Sequence, residues 1–205
     1  MPRVLEKKER SLGIQLSIRG ERCNSPKCAF IRKPYRPGQH GKKFRRRMSE
    51  FGIQLKEKQK IKFSYDLSDR QLKKIFQDAA GKGSSSIEAI TEALENRLDN
   101  IVMRLGFAES RSVARQFVNH GHILVNSRRA ATGSYRLKAG DTVSIKPRSR
   151  HLLLFEELAL KLKGQEVPSW LSLDKENLVG KMEALPRQVE LPFDLNLVVD
   201  YYSKK

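Results

Sequence analysis

The stretch from Leu98 to Ile145 changes its hydrophobic period partway, and this change constrains the fold more than any other feature of the chain. In "NRLDNIVMRLG", Leu98, Ile101, Val102 and Leu105 recur at helical spacing, and Gly106 stops the run. In "SRSVARQFVNHG", Ser110 suits an N-cap and Val113, Ala114, Phe117 and Val118 form one stripe. Gly121 stands where a left-handed terminating residue belongs. Beyond it the period drops to two. "HILVN" can pair with a following strand across "NSRR", the run 139–141 reads as a turn, and Val143 and Ile145 alternate with polar residues. A helix-turn-helix plus a short antiparallel β-sheet is predicted over 95–150.

The flanks read differently. Residues 48–94 suit a small helical domain. "SEFGIQLKEKQKIKF" has Ser49 as an N-cap, with Phe51, Leu55 and Ile61 near one face. Ser68 and Gln71 form a capping-box pattern ahead of Leu72, Ile75, Phe76 and Ala79, with Gly81 at the far end. Ser85 and Glu88 offer a second box before Ile87, Ile90 and Leu94. Residues 151–205 return to helix in "RHLLLFEELALKLKG", then run through "VPSWLSLD" and an irregular stretch with Pro186 and Pro192. For "NLVVDYYS" helix and strand both stay open, Asn196 as an N-cap favouring helix; this segment is expected to dock on the helical domain. Residues 1–47 are poorly periodic and too polar to bury enough apolar surface alone, so they read as an irregular basic N-terminal arm ordered by a partner or a metal. The fold class is α+β: a small helical domain interrupted by the helix-turn-helix and sheet module.

Charge narrows the partner. The chain of 205 residues carries a net charge of +18, unevenly placed. Residues 1–65 hold 19 Lys/Arg against 5 Asp/Glu, and residues 96–150 hold 11 against 3. Residues 66–95 and 151–205 are nearly neutral. Two electropositive surfaces on a neutral scaffold call for a polyanion. No apolar run approaches the length of a membrane span, so no membrane partner is expected. The first residues lack the apolar core of a secretory signal, and two cysteines suit a reducing cytosol.

Arg97, Arg104, Arg111 and Arg115 lie off the apolar stripes, in pairs seven or four residues apart. Guanidinium groups on one face match phosphate oxygens. Asp99 and Glu109 are too few nearby acids to pair all four, so a nucleic-acid face is expected. Short folded units with helical basic faces suit structured RNA, whose phosphate arrays and shallow groove they can follow. His120, Arg128 and Arg129 border the same unit.

"PYRPGQHGKKFRRR" adds a rigid turn, two glycines and a cationic run. Gly38 and Gly41 let backbone approach phosphate, and Gln39 and His40 lie between them. Tyr35, His40 and Phe44 could stack on bases. Arg32, Lys33, Arg36, Lys42 and Lys43 join the RNA-contact set, as do Arg45, Arg46 and Arg47. Lys56 and Lys58 follow in the next helix, and Arg22 and Lys27 stand in the cysteine turn. Catalytic signals are absent: His40, His120, His122 and His151 have no partner at triad or metal spacing, and no nucleotide-binding glycine loop appears. Neither an enzyme nor a cofactor is expected. An RNA-modifying enzyme using the module to hold substrate, or an RNA chaperone built on it, are the competing readings.

"RLDNIVMRLGFAESRSVARQFVNHGHILVN…GD" resembles the RNA-binding module named after ribosomal protein S-four. With "PGQHG", "FGIQLKEKQK" and "SWLSLD" in this order, nearly the whole chain is similar to the bacterial or organellar ribosomal S-four family. The resemblance implies a structural protein that binds small-subunit ribosomal RNA directly and early in assembly, beside neighbouring small-subunit proteins. It also implies a place near the channel by which messenger RNA enters, an influence on decoding accuracy, and in some members repression of their own messenger. A cytoplasmic ribosome is expected, an organellar one stays open, and no homo-oligomer is implied.

Two departures stand out. The family's hairpin usually reads Asn-Gly; here it is Asn126-Ser127, so a looser turn or another type is expected. Metal-binding members carry a Cys-x2-Cys pair before a Cys-x4-Cys pair. This chain keeps Cys23 and Cys28, while the first pair falls on Glu6 and Glu9. Count excludes a four-cysteine zinc site. A mixed site of Glu6, Glu9, Cys23 and Cys28 is chemically admissible. The simpler reading makes the glutamates surface charges and the cysteine knuckle a metal-free turn.

Overall fold

The computed structural model describes residues 5–44, 47–80, 86–156, 158, 162–186 and 189–203. Among them the helices run α1 (Leu5–Leu12), α2 (Ala29–Arg32), α3 (Glu50–Ser64), α4 (Asp69–Ala80), α5 (Ser86–Glu95), α6 (Leu98–Arg104) and α7 (Arg111–His120). Strands β1 (Ile123–Val125), β2 (Arg128–Arg129) and β3 (Thr142–Ile145) follow, then the short α8 (Leu153–Glu156), β4 (Leu171–Asp174), β5 (Val179–Met182) and α9 (Leu195–Ser203). The chain forms two compact units: Met1–Ile90 with Glu190–Lys205, and Thr91–Val189.

In the first unit the caps follow the sequence. Ser49 Oγ accepts from the Gly52 amide at 3.2 Å and starts α3. Ser68 and Gln71 close a reciprocal box, at 3.0 Å and 3.2 Å, and start α4. Leu72, Ile75, Phe76 and Ala79 of α4 are buried together. The expected second box begins at Ser85, and the expected stop at Gly81; both lie outside the described residues. The α3 stripe differs from expectation: Ile61 is buried with Gln54 and Glu57, whereas Phe51 is exposed and rests on the Tyr201 ring, 5.7 Å between centroids. Glu57 is buried because it bonds to a distant part of the chain. Its Oε2 accepts from the Asp194 amide at 3.3 Å, just ahead of α9. The last segment is a helix, but its cap is Asp194, whose Oδ1 accepts from the Asn196 amide at 2.8 Å; Asn196 lies inside the first turn. Leu195, Val198 and Tyr201 bury the inner face of α9.

The arm is more ordered than its composition suggests. Leu12, Leu16 and Ile18 form a small core of their own, joined by Ile14 and by Phe63 of α3. A single 3-10 turn (Gly20–Asn24) and α2 complete it.

The second unit holds a five-stranded antiparallel sheet in the order β2-β1-β3-β5-β4. β1 and β3 pair with Ile123 opposite Ile145 and Val125 opposite Val143, so both strands turn the same apolar face inward. That face packs on Leu98, Ile101, Val102 and Leu105 of α6 and on Ala114, Phe117 and Val118 of α7, all in one core. The helix-turn-helix follows the predicted pattern, with Ser110 Oγ accepting from the Val113 amide and Gly121 left-handed at φ 78°. The sheet, however, does not end at 150. The hairpin of β4 and β5 adds to the free edge of β3, with Val143 opposite Gly180, and brings Trp170, Leu171, Leu178 and Met182 into the same core. The hairpin takes up residues 171–182, so "SWLSLD" joins the sheet and the irregular stretch with Pro186 and Pro192 begins only after Met182. Gly180 is required in the hairpin: a Cβ on it would sit 2.4 Å from Leu105 Cδ1.

The Asn126-Ser127 turn is not loose. Both residues have positive φ, 48° and 64°, the signature of a type I′ turn. Asn126 holds it: its Oδ1 accepts from the Thr142 amide at 2.9 Å, and its Nδ2 donates to Asp141 Oδ1 at 2.8 Å.

Candidate nucleic-acid interface

The four arginines of the helix-turn-helix are tethered from below. Asp99, 1% exposed, receives Arg97 through two bonds of 3.0 Å and 2.7 Å. It also receives Arg115, Nε at 3.1 Å and Nη2 at 2.7 Å. Glu95, 0% exposed, receives Arg104 at 3.2 Å and 3.0 Å and the Asn100 amide at 2.8 Å. Asn100 Oδ1 then accepts from Arg111 Nε at 2.8 Å. The expectation that acids were too few is thus corrected: Glu95 lies on α5, outside the stretch in which acids seemed scarce, and Asn100 serves as a neutral acceptor. Arg97 is corrected as well. It precedes α6, its side chain is 7% exposed, and it braces Asp99 instead of facing solvent. Arg104 and Arg115 each keep 28% of the side chain exposed, over carboxylates that solvent does not reach.

Further cations of the same unit are exposed. Arg128 and Arg129 are exposed on β2, and His120 is exposed at the end of α7. Arg136, Lys138, Lys146 and Arg148 are exposed too; they lie on loops without periodicity, which is why the sequence did not single them out. His122 is half-buried, its Nδ1 3.0 Å from Ser149 Oγ. Burial, then His120 and Lys146, push its pKa below the ordinary 6.5.

In the arm the cations are arranged by backbone. The Gly41 amide donates to the Gly38 carbonyl at 3.2 Å, and a Cβ on Gly41 would lie 1.9 Å from the Arg36 carbonyl oxygen, so only glycine closes this loop. Arg10 of α1, unmarked in the sequence, holds the loop's stem: its Nε donates to the Lys33 and Tyr35 carbonyls at 2.9 Å and 3.0 Å. The loop from Arg36 to Phe44 lines an open hollow of about 550 Å³. Gln39, His40, Lys42, Lys43 and Phe44 are exposed, as are Lys27, Arg32, Lys33 and Arg47. Tyr35 is half-buried, with Arg10 and Lys42 each 5.0 Å from its ring, so cations already occupy its surroundings. Arg45 and Arg46 lie outside the described residues.

Lys58 is engaged inside its own unit, 2.8 Å from Asp69 and 5.1 Å from the Tyr201 ring, with a side chain 12% exposed. It is a packing residue, whereas Lys56, half-buried on the same helix, stays with the basic surface.

The cysteine knuckle is buried, and its glutamates are not surface charges. Cys23 and Cys28 are free thiols, 1% and 0% exposed. Burial pushes the Cys23 thiol above its ordinary range, and the nearby Glu9, Cys28 and Glu6 charges add to this, while the Arg19 amide opposes it. Glu9 is 0% exposed because its Oε1 accepts from the Leu16 and Ile18 amides, at 2.9 Å and 3.3 Å. Glu6 pairs with Arg22 at 3.0 Å, which leaves Arg22 54% exposed but partly neutralised. Among the described residues no three His, Cys, Asp or Glu side chains are placed to hold a metal ion.

Basic faces on a helix-turn-helix and sheet module define the class of RNA-binding proteins. Comparison makes this specific. Residues 5–95 match the family model "Ribosomal protein S4/S9 N-terminal domain", and residues 96–143 match "S4 domain". The chain is 46% identical over 194 residues to small ribosomal subunit protein uS4 of Thermus thermophilus, covering 94% of this chain and 93% of the relative. It is 42% identical to uS4 of Natranaerobius thermophilus, with the same coverage, and 42% identical to that of Gloeobacter violaceus over 198 residues, 95% and 94% of the two chains. The chain belongs to the uS4 family of small ribosomal subunit proteins, a structural and non-enzymatic family.

Proposed function

We propose that this chain binds small-subunit ribosomal RNA directly, through the arm loop and the arginine face of α6 and α7. The observation that carries the reading is the arm. From Arg22 through Ser49 there are ten Lys/Arg and no Asp or Glu, and Gly38, Gln39 and His40 are exposed in the turn among them. Such a surface suits a phosphate array, with Gln39, His40 and Phe44 available to bases. The module adds Arg104, Arg111, Arg115, His120, Arg128 and Arg129 as a second contact.

Membership of the uS4 family supports the finer reading. The protein joins the subunit early in its assembly, lies beside other small-subunit proteins near the path of entering messenger RNA, supports decoding accuracy, and represses its own messenger. It acts as a monomer within the cytoplasmic ribosome and needs no metal for the arm. The decisive experiment titrates the full chain onto transcribed small-subunit rRNA across a salt series. Saturable binding is expected, with affinity falling steeply as salt rises. Binding that is weak, unsaturable or indifferent to salt would sink the reading. Elemental analysis of protein purified without added metal should find no zinc; a near-stoichiometric amount would overturn the metal-free arm.

A further inference from the structure

We infer that Glu95, Asp99 and Asn100 are positioning residues, which preset the arginines of α6 and α7 for RNA before RNA arrives. The inference rests on the RNA-binding reading above and deepens it. Three buried polar groups occur together at the start of α6, where an apolar core would be simpler: Glu95 and Asn100 are 0% exposed and Asp99 is 1% exposed. Each reaches an arginine that is far closer to solvent than itself. The spans are long in sequence, nine residues from Glu95 to Arg104, eleven from Asn100 to Arg111 and sixteen from Asp99 to Arg115. Two of them therefore lash α7 to α6 through guanidinium groups.

Two features separate positioning from simple neutralisation. First, the acids lie beneath the arginines and cannot meet a phosphate, so they add no repulsive surface. Second, the bonds fix orientation. Arg104 meets Glu95 through Nε and Nη2, and Arg115 meets Asp99 through Nε and Nη2. In both, one edge of the planar fork is engaged and the group is held in a single plane. A long side chain fixed in the unbound protein does not lose its rotamer freedom on binding. The loop after β2 closes over the site: the Asp99 amide donates to the Gly133 carbonyl at 3.0 Å, and the Leu98 amide to the Tyr135 carbonyl at 2.8 Å.

The test exploits a conflict of signs. Asp99→Asn removes a negative charge from a basic face, so charge alone demands tighter RNA binding. Positioning demands the reverse: affinity for transcribed Thermus thermophilus small-subunit rRNA falls about five- to tenfold, and the dependence of log affinity on log salt becomes shallower. Full-length protein is used, with the active fraction titrated, so partial unfolding does not enter the slope. In an Arg115→Ala background the same substitution should then cost little, because the group it positions has gone. Equal or tighter binding by Asp99→Asn overturns the inference, and so does a loss that persists in full without Arg115. If Asp99→Asn does not fold, the cycle of Glu95→Gln with Arg104→Ala decides on the same criteria. A wild-type chain that fails to bind sinks the function itself; a wild type that binds no better than Asp99→Asn sinks only the positioning role.

Discussion

The loop from Arg36 to Phe44 and the pair α6–α7 both gather cations, and they hold them by opposite means. In the arm the backbone is fixed, by the Gly38–Gly41 turn and by Arg10 on the stem carbonyls, while charged side chains such as Lys43 are exposed. In the module the side chains themselves are fixed, by Asp99, Glu95 and Asn100, which are sealed from solvent. In the RNA contact proposed above, an arm cation would still have rotamer freedom to lose on meeting phosphate, whereas a module arginine would have lost it already. The first arrangement would then tolerate a varied partner surface, and the second would demand a particular spacing of phosphates.

This contrast can be broken experimentally, most severely from beneath the module. Leu105→Ala removes a fully buried side chain that packs against Gly180, and should cost about 2–5 kcal/mol in chemical denaturation. Unchanged stability would mean that the arginine tethers do not stand on a packed core. In the arm, Glu9→Ala leaves the Leu16 and Ile18 amides buried without their acceptor and should cost about 1–3 kcal/mol, seen as faster hydrogen exchange at those two amides. Unaltered exchange would show that the arm is held by something other than this carboxylate. A smaller effect of opposite sign is expected at the hairpin. Ser127→Gly relieves a non-glycine residue at φ 64° and should stabilise the module by about 0.5–1 kcal/mol, raising its melting temperature. A lowered melting temperature would show that Ser127 carries no strain there. The smallest effect concerns pH. The fold depresses the His122 pKa below 6.5, so the unfolded chain takes up that proton first. The contribution is complete above pH 6.5 and is lost as pH falls through the folded pKa. Between about pH 7 and pH 5, His122→Gln should flatten the decline in module stability; identical pH profiles would refute this assignment.

What could be read from sequence was local. The Ser68–Gln71 box, the Ser49 and Ser110 caps and the stripe Leu98–Ile101–Val102–Leu105 each depend on neighbours within a turn or two, and all appear as expected. What could not be read depends on distant partners. β5 pairs with β3 across about forty residues, and nothing in "LVGKM" announces that Gly180 must slip beneath Leu105. Burial of Glu57 was invisible for the same reason, its partner Asp194 lying 137 residues on. Arg97 and Glu9 have partners close in sequence, but nothing local shows that Asp99 or the Leu16 and Ile18 amides are themselves buried. Phe51 shows the converse: an apolar residue at helical spacing whose ring meets Tyr201, 150 positions away, while most of its surface stays exposed. The candidate site was legible only as a set of basic residues. Its acidic and amide foundations were not, since sequence shows charge without depth.

The nesting of the two units has a consequence for synthesis. The unit that contains the arm also contains α9, whose Asp194 amide meets Glu57 and whose Tyr201 and Tyr202 rings meet Phe51 and Phe76. Every residue of Thr91–Val189 is translated before α9. As the chain leaves the exit tunnel, the inserted unit therefore has all its strands in hand first. Helices α3 and α4, translated earlier, gain their packing against α9 only after the inserted unit has emerged.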